Sequence, residues 1–66
     1  MTNTLKESIE LLRVLIDGSF YTGDWNASIL KGHLSPEVNN IIISYGVDRL
    51  TNEDLEHIIK LAEVLL

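Results

Sequence analysis

Side chains that could bind a ligand or a partner are concentrated in one short stretch, residues 18–32, which reads GSFYTGDWNASILKG. Three of the four aromatic residues of the chain fall within six consecutive positions inside this stretch. Glycines flank the stretch, and a further glycine divides it. Aromatic rings on a glycine-flanked loop can stack on a ligand or anchor a protein. This interpretation predicts that the binding residues are Tyr21, Asp24, Trp25, Asn26 and Lys31.

The same stretch has a second interpretation, in which its aromatic residues close the core at the corner after the first helix. Phe20 and Trp25 would then fill the space between the first helix and a short second one. We expect Trp25 to pack in this way. Because Tyr21 adjoins Phe20, we expect Tyr21 to point outward and form the edge of a functional surface.

Patterns that would indicate catalysis are weak. Asp17 and Asp24 flank the aromatic stretch. No sequence pattern places two carboxylates together in the way that separates their pKa values in an acid–base pair. Ser28 and Ser35 lie near His33 in sequence, without the turn that activates a serine nucleophile. We therefore expect a protein that is not an enzyme and has no catalytic residues.

Metal and cofactor sites are also not indicated. The stretch DRLTNEDLE brings together Asp48, Asn52, Asp54 and Glu56, but it lacks the glycine and the ligand order of an EF-hand loop. The chain has two histidines and no cysteine, and no glycine loop precedes a Lys-Ser or Lys-Thr pair. The expectation is that there is no metal and no cofactor.

The charge of the chain restricts its partners. A formal net charge of −5 is unfavourable for binding to nucleic acid or to an anionic membrane surface. The stretch ASILKGHLSPEVNNIII has the outline of a helix-turn-helix with Gly32 in the turn, but residues 36–45 contain no Lys or Arg. A divergent helix-turn-helix regulator is therefore kept only as a second alternative.

Helical signals cover most of the chain. Thr4 and Glu7 have capping-box spacing and predict the start of a first helix, which Gly18 would end in the left-handed conformation. Thr51 and Asp54 predict the start of the last helix in the same way, with Leu50 and Leu55 as a hydrophobic staple. The first helix has an unusually wide apolar stripe, formed by Leu5, Ile9, Leu11, Leu12, Val14, Leu15 and Ile16.

Two shorter helices are expected between them. Thr22 or Asp24 would cap a helix over residues 25–31, and Ser35 followed by Pro36 would start another. The run IIIS at residues 41–44 has strand propensity, but the spacing of apolar residues favours a helix that ends at Gly46. The sequence thus predicts an all-α fold, a small compact helical bundle with two longer outer and two short inner helices, as a single domain over residues 1–66.

Self-association is expected because 66 residues can bury only a small core, while 45% of them are hydrophobic. No disulfide can compensate, since cysteine is absent. The apolar sequence VLL at residues 64–66 favours a helix end that packs inside the fold or against a neighbouring chain. The predicted interface consists of the outer part of the first stripe and this end, namely Leu11, Val14, Leu15, Val64, Leu65 and Leu66.

The sequence therefore predicts a non-enzymatic acidic protein that self-associates and binds or modulates another protein, as an accessory, regulator or inhibitor. The alternative is an oligomer that binds a small ligand in a pocket lined by the stretch from Tyr21 to Trp25. A cytoplasmic location is expected because there is no targeting segment, no membrane span and no cysteine.

Overall fold

The computed structural model describes residues 3–18 and 23–66, which form four helices and one two-stranded ribbon. The mostly helical, compact molecule measures 28 × 23 × 23 Å, which agrees with the predicted small all-α fold. The elements in chain order are α1 (Leu5–Asp17), β1 (Trp25–Asn26), α2 (Ala27–Lys31), α3 (Pro36–Tyr45), β2 (Arg49–Leu50) and α4 (Asn52–Glu63).

The predicted starts of both long helices are confirmed. At α1, the Thr4 hydroxyl accepts a hydrogen bond from the Glu7 backbone N–H at 3.2 Å, and the Glu7 carboxylate accepts one from the Thr4 N–H at 2.9 Å. Thr51 and Asp54 form the same reciprocal pair at α4. The hydrogen bonds from the backbone and then the side chain of Thr4 lower the pKa of Glu7.

The helices differ from the prediction in three respects. Asn26, rather than Asp24 or Thr22, caps α2, because its side-chain oxygen accepts the Ile29 N–H at 3.1 Å. The helix α3 has ten residues and is nearly as long as the outer helices. Gly18 ends α1 with φ of −86°, so the predicted left-handed cap there is wrong.

A short ribbon joins two connections that are distant in sequence. Trp25 pairs with Leu50 and Asn26 with Arg49 in antiparallel register, and the Ala27 N–H donates to the Asp48 carbonyl at 2.9 Å. The chain therefore consists of two helix–connection–helix units, α1–α2 and α3–α4, whose connections pair with each other. Strands of two residues are too short to produce an alternating pattern, so the sequence did not predict them.

The core lies between α1, α3 and α4, and its central side chains are the fully buried Leu12, Leu34, Val38, Leu55 and Ile58. A buried polar contact also crosses it. The Ser8 hydroxyl of α1 accepts a hydrogen bond from the Ser35 backbone N–H at 2.8 Å, directly before α3. This contact fixes the position of α1 relative to the start of α3.

Candidate protein-interaction surface

Trp25 is held at the junction of the two units. Its indole Nε1 donates a hydrogen bond to the side-chain oxygen of Asn52 at 2.7 Å, and its half-buried ring packs against the core. Gly23 is buried next to this hydrogen bond. A Cβ atom at position 23 would lie 2.1 Å from Asn52 Oδ1 and 2.2 Å from Trp25 Nε1. A glycine is therefore required at position 23 for the tryptophan to take this place.

Trp25 forms part of the wall of an apolar groove between α1 and α2. The groove has a volume of about 340 Å³, and in the part of the chain that the structure describes His33 is its only polar lining residue. No carboxylate of residues 3–18 or 23–66 lines it. We call it the apolar groove, and define it by Leu11, Leu15, Trp25, Ile29, Leu30 and His33.

Exposed aliphatic side chains lie in and beside the apolar groove. Ile29 on α2 and Val14 on α1 each have 64% of their surface exposed. Val14 lies beside Leu11 on the surface of α1, because residues three apart on a helix are neighbours. A recess with projecting aliphatic side chains beside it is a feature found in protein-interaction surfaces.

The predicted binding residues that the structure describes have different surroundings. Asp24 is exposed and lies 3.8 Å from Arg49, and Asn26 serves as the cap of α2. The half-buried Lys31 contributes its backbone carbonyl, which accepts from the Asn39 amide at 3.0 Å. Tyr21, like Phe20, lies outside the described residues. Of this set, Trp25 is the residue that lines the apolar groove.

The predicted interface residues separate into two groups. Leu11 and Leu15 line the apolar groove on the flank of α1 that faces α2. The opposite flank faces α4 across a charged recess of about 290 Å³, where Arg13 forms an ion pair with Glu63. The exposed C-terminal residues follow directly after Glu63, with exposures of 83%, 55% and 70% for Val64, Leu65 and Leu66.

Sequence reasoning missed four residues of this region. Ile29, Leu30 and His33 line the apolar groove, and Asn52 orients the indole. The only sequence feature that indicated an exposed apolar residue here was the adjacent pair of Ile29 and Leu30. Two neighbouring apolar residues on so short a helix cannot both point inward. The role of Asn52 depends on the ribbon, which no local pattern indicated.

A further pair of chemistry-bearing side chains lies between α3 and α4. The Tyr45 hydroxyl and His57 Nδ1 are 2.6 Å apart, and the two rings meet edge to face with their centroids 6.1 Å apart. Desolvation, and secondly the charge of Asp54, raise the pKa of Tyr45. We interpret the pair as a link between the two helices.

Within residues 3–18 and 23–66, no three His, Asp or Glu side chains are grouped so that they could hold a metal ion. The connection between α3 and α4, residues 46–51, is shorter than the twelve-residue loop of an EF-hand, Asp54 is engaged in the cap of α4, and Asn52 accepts the indole N–H. None of the helices in the described ranges is long and apolar enough to cross a bilayer. No protein-family model matches the chain, and comparison with curated proteins and with solved structures also gave no match.

Proposed function

We propose that this chain is a non-enzymatic interaction protein, which associates with itself and binds or modulates another protein. The single observation that carries this proposal is the apolar groove with its exposed flanking residues Val14 and Ile29. Covering exposed aliphatic surface yields roughly 25 cal/mol per Å², so a protein surface that fits the groove would bind favourably. The expected place of action is the cytoplasm, since a chain without cysteine needs no oxidising compartment.

The shape of the apolar groove favours a macromolecular occupant. It is bounded by α1 on one side and by the five-residue α2 on the other, and it is partly open to solvent. Recesses of this kind accept one or two apolar side chains from a helix, as in recognition of an amphipathic helix. With Trp25 and several aliphatic residues in the wall, the lining has the composition of an interface centre.

Trp25 provides a direct test, because it is the only tryptophan and it lines the apolar groove. We expect its emission to shift to shorter wavelength, and its quenching by iodide to weaken, as the protein concentration rises from nanomolar to high micromolar. Association would remove water from the exposed part of the indole ring. The titration needs no label and no identified partner.

Two isoleucine variants make this test specific. Ile29→Ser should abolish the concentration dependence, whereas Ile43→Ser on α3 should retain it. The two side chains are matched in exposure, at 64% and 59%, but only Ile29 lines the apolar groove. Identical emission at all concentrations in the wild type would count against self-association through this surface.

A small-ligand binder is the second candidate, favoured by the groove volume of about 340 Å³, which lies within the range of ligand sites. Such a ligand would be largely apolar, with His33 as its hydrogen-bonding partner. Thermal unfolding in the presence of short-chain fatty acids and aromatic compounds distinguishes this candidate. A ligand that raises Tm in the wild type but not in Leu15→Ser would favour it.

A further inference from the structure

We propose that the apolar groove is occupied by a second copy of this chain in an isologous dimer, in which Ile29 of each copy packs against α1 of the other. This inference rests on the proposed function and specifies the partner, the face and the symmetry. In an isologous contact the same surface is used twice, so that surface must be complementary to itself.

The groove region has this self-complementarity. It contains a recess, walled by Leu11, Leu15 and Leu30, and next to it the projecting side chains of Val14 and Ile29. A twofold rotation about an axis through the region brings the projecting residues of one copy over the recess of the other. Except for the exposed His33, the described residues that line the recess have apolar walls, and the Trp25 Nε1 already donates to Asn52, so the centre of the contact is apolar.

The charge distribution permits two copies to meet here. Each copy carries a formal charge of −5, which opposes association wherever carboxylates face each other. In the described chain no carboxylate lines the apolar groove, and the exposed Glu7 and Glu10 lie one turn before Leu11 and Val14 on α1, at the periphery of the contact. Repulsion across the solvent-exposed periphery is screened over about 8 Å at physiological salt.

The size of the molecule makes such a dimer useful for stability. The surface of one copy is 4414 Å². A standard interface takes about 800 Å² from each partner, which is roughly a fifth of this surface. A 66-residue chain gains more from this burial than a larger domain would, because its own core is small.

The absence of native cysteine allows a crosslinking test of the whole chain. Val14→Cys and Ile29→Cys proteins are mixed, oxidised and separated, with mixtures of Val14→Cys and Ile43→Cys as the control. A disulfide forms when two Cα atoms approach to roughly 4.4–6.8 Å. We expect several-fold faster crosslinking between positions 14 and 29 than between positions 14 and 43, and a light-scattering mass that reaches a plateau at two copies. All three residues are exposed, so the substitutions leave the core intact.

Each outcome has a definite meaning. Faster crosslinking of positions 14 and 29 with a plateau at two copies supports the isologous dimer. Association in which crosslinking does not exceed the control overturns this inference, while self-association itself stands. A mass that continues to rise beyond two copies overturns the symmetry, because open growth requires two different surfaces. A wild type that remains a single copy at high micromolar concentration overturns both this inference and the self-association proposed above.

Discussion

At the scale of the residue, Gly23 is the most restricted position of the candidate surface. A Cβ atom there would lie 2.1 Å from the Asn52 side-chain oxygen, so Gly23→Ala must separate Asn52 from the Trp25 indole. We expect a loss of about 1–3 kcal/mol in the free energy of unfolding, together with a shift of tryptophan emission to longer wavelength. Urea unfolding followed by fluorescence measures both quantities.

Gly32→Ala is the control for this substitution. At Gly32 the added Cβ would lie 3.3 Å from the Ile29 carbonyl oxygen, and φ is −68°, a value that alanine adopts readily. We expect a smaller change in stability and no change in emission. If Gly23→Ala and Gly32→Ala behaved alike, the contact between Trp25 and Asn52 would not determine the position of the indole.

The pKa of Glu7 is a second prediction at this scale. Hydrogen bonds from Thr4 lower the pKa in the folded chain, so the stabilisation by the capping box is present above the pKa of the unfolded chain. It is lost as the pH falls through the lower folded value. We expect an NMR titration to give a Glu7 pKa below the ordinary glutamate value. In Thr4→Ala we expect a partial rise, because alanine keeps the backbone N–H that is the larger cause and loses only the hydroxyl. Equal values in the two proteins would contradict a contribution of the Thr4 hydroxyl.

At the scale of the element, Ser8 connects α1 to the start of α3. Ser8→Ala removes the acceptor of the Ser35 N–H in a fully buried position and should lower the free energy of unfolding by about 1–3 kcal/mol. Ser44→Ala is the matched control, since the exposed Ser44 hydroxyl bonds only a carbonyl of its own helix. Equal urea midpoints for the two variants would show that this contact does not hold the helices together.

The starts of α1, α3 and α4 were predictable because a cap acts over three or four residues of sequence. The start of α2 was not. Asp24 and Asn26 are both good capping residues, and the choice between them depends on the pairing of Asn26 with Arg49, which keeps the chain extended until that residue. The strand β2, from the other half of the chain, therefore determines which residue caps α2. The local sequence around Asp24 and Asn26 does not indicate this pairing.

At the scale of the whole molecule, the wide apolar stripe of α1 contains the buried Leu12, the half-buried Leu11 and Leu15, and the exposed Val14. The apolar groove itself was not predictable, because it depends on where α2 lies relative to α1. That Leu15 and Leu65 belong to one interface stays a prediction. In the structure Leu15 lies on the α2 flank of α1, whereas Leu65 follows Glu63, which contacts the opposite flank.

The central claim is that two copies associate through the apolar groove, and the molar mass in solution tests it most directly. We expect light scattering across a concentration series to give a wild-type mass that rises from one copy to two, since covering exposed aliphatic side chains drives the association. The Ile29→Ser mass should stay at one copy, and the Ile43→Ser mass should follow the wild type. A wild-type mass of one copy up to high micromolar concentration, or an Ile29→Ser protein that dimerises as the wild type does, would contradict the claim.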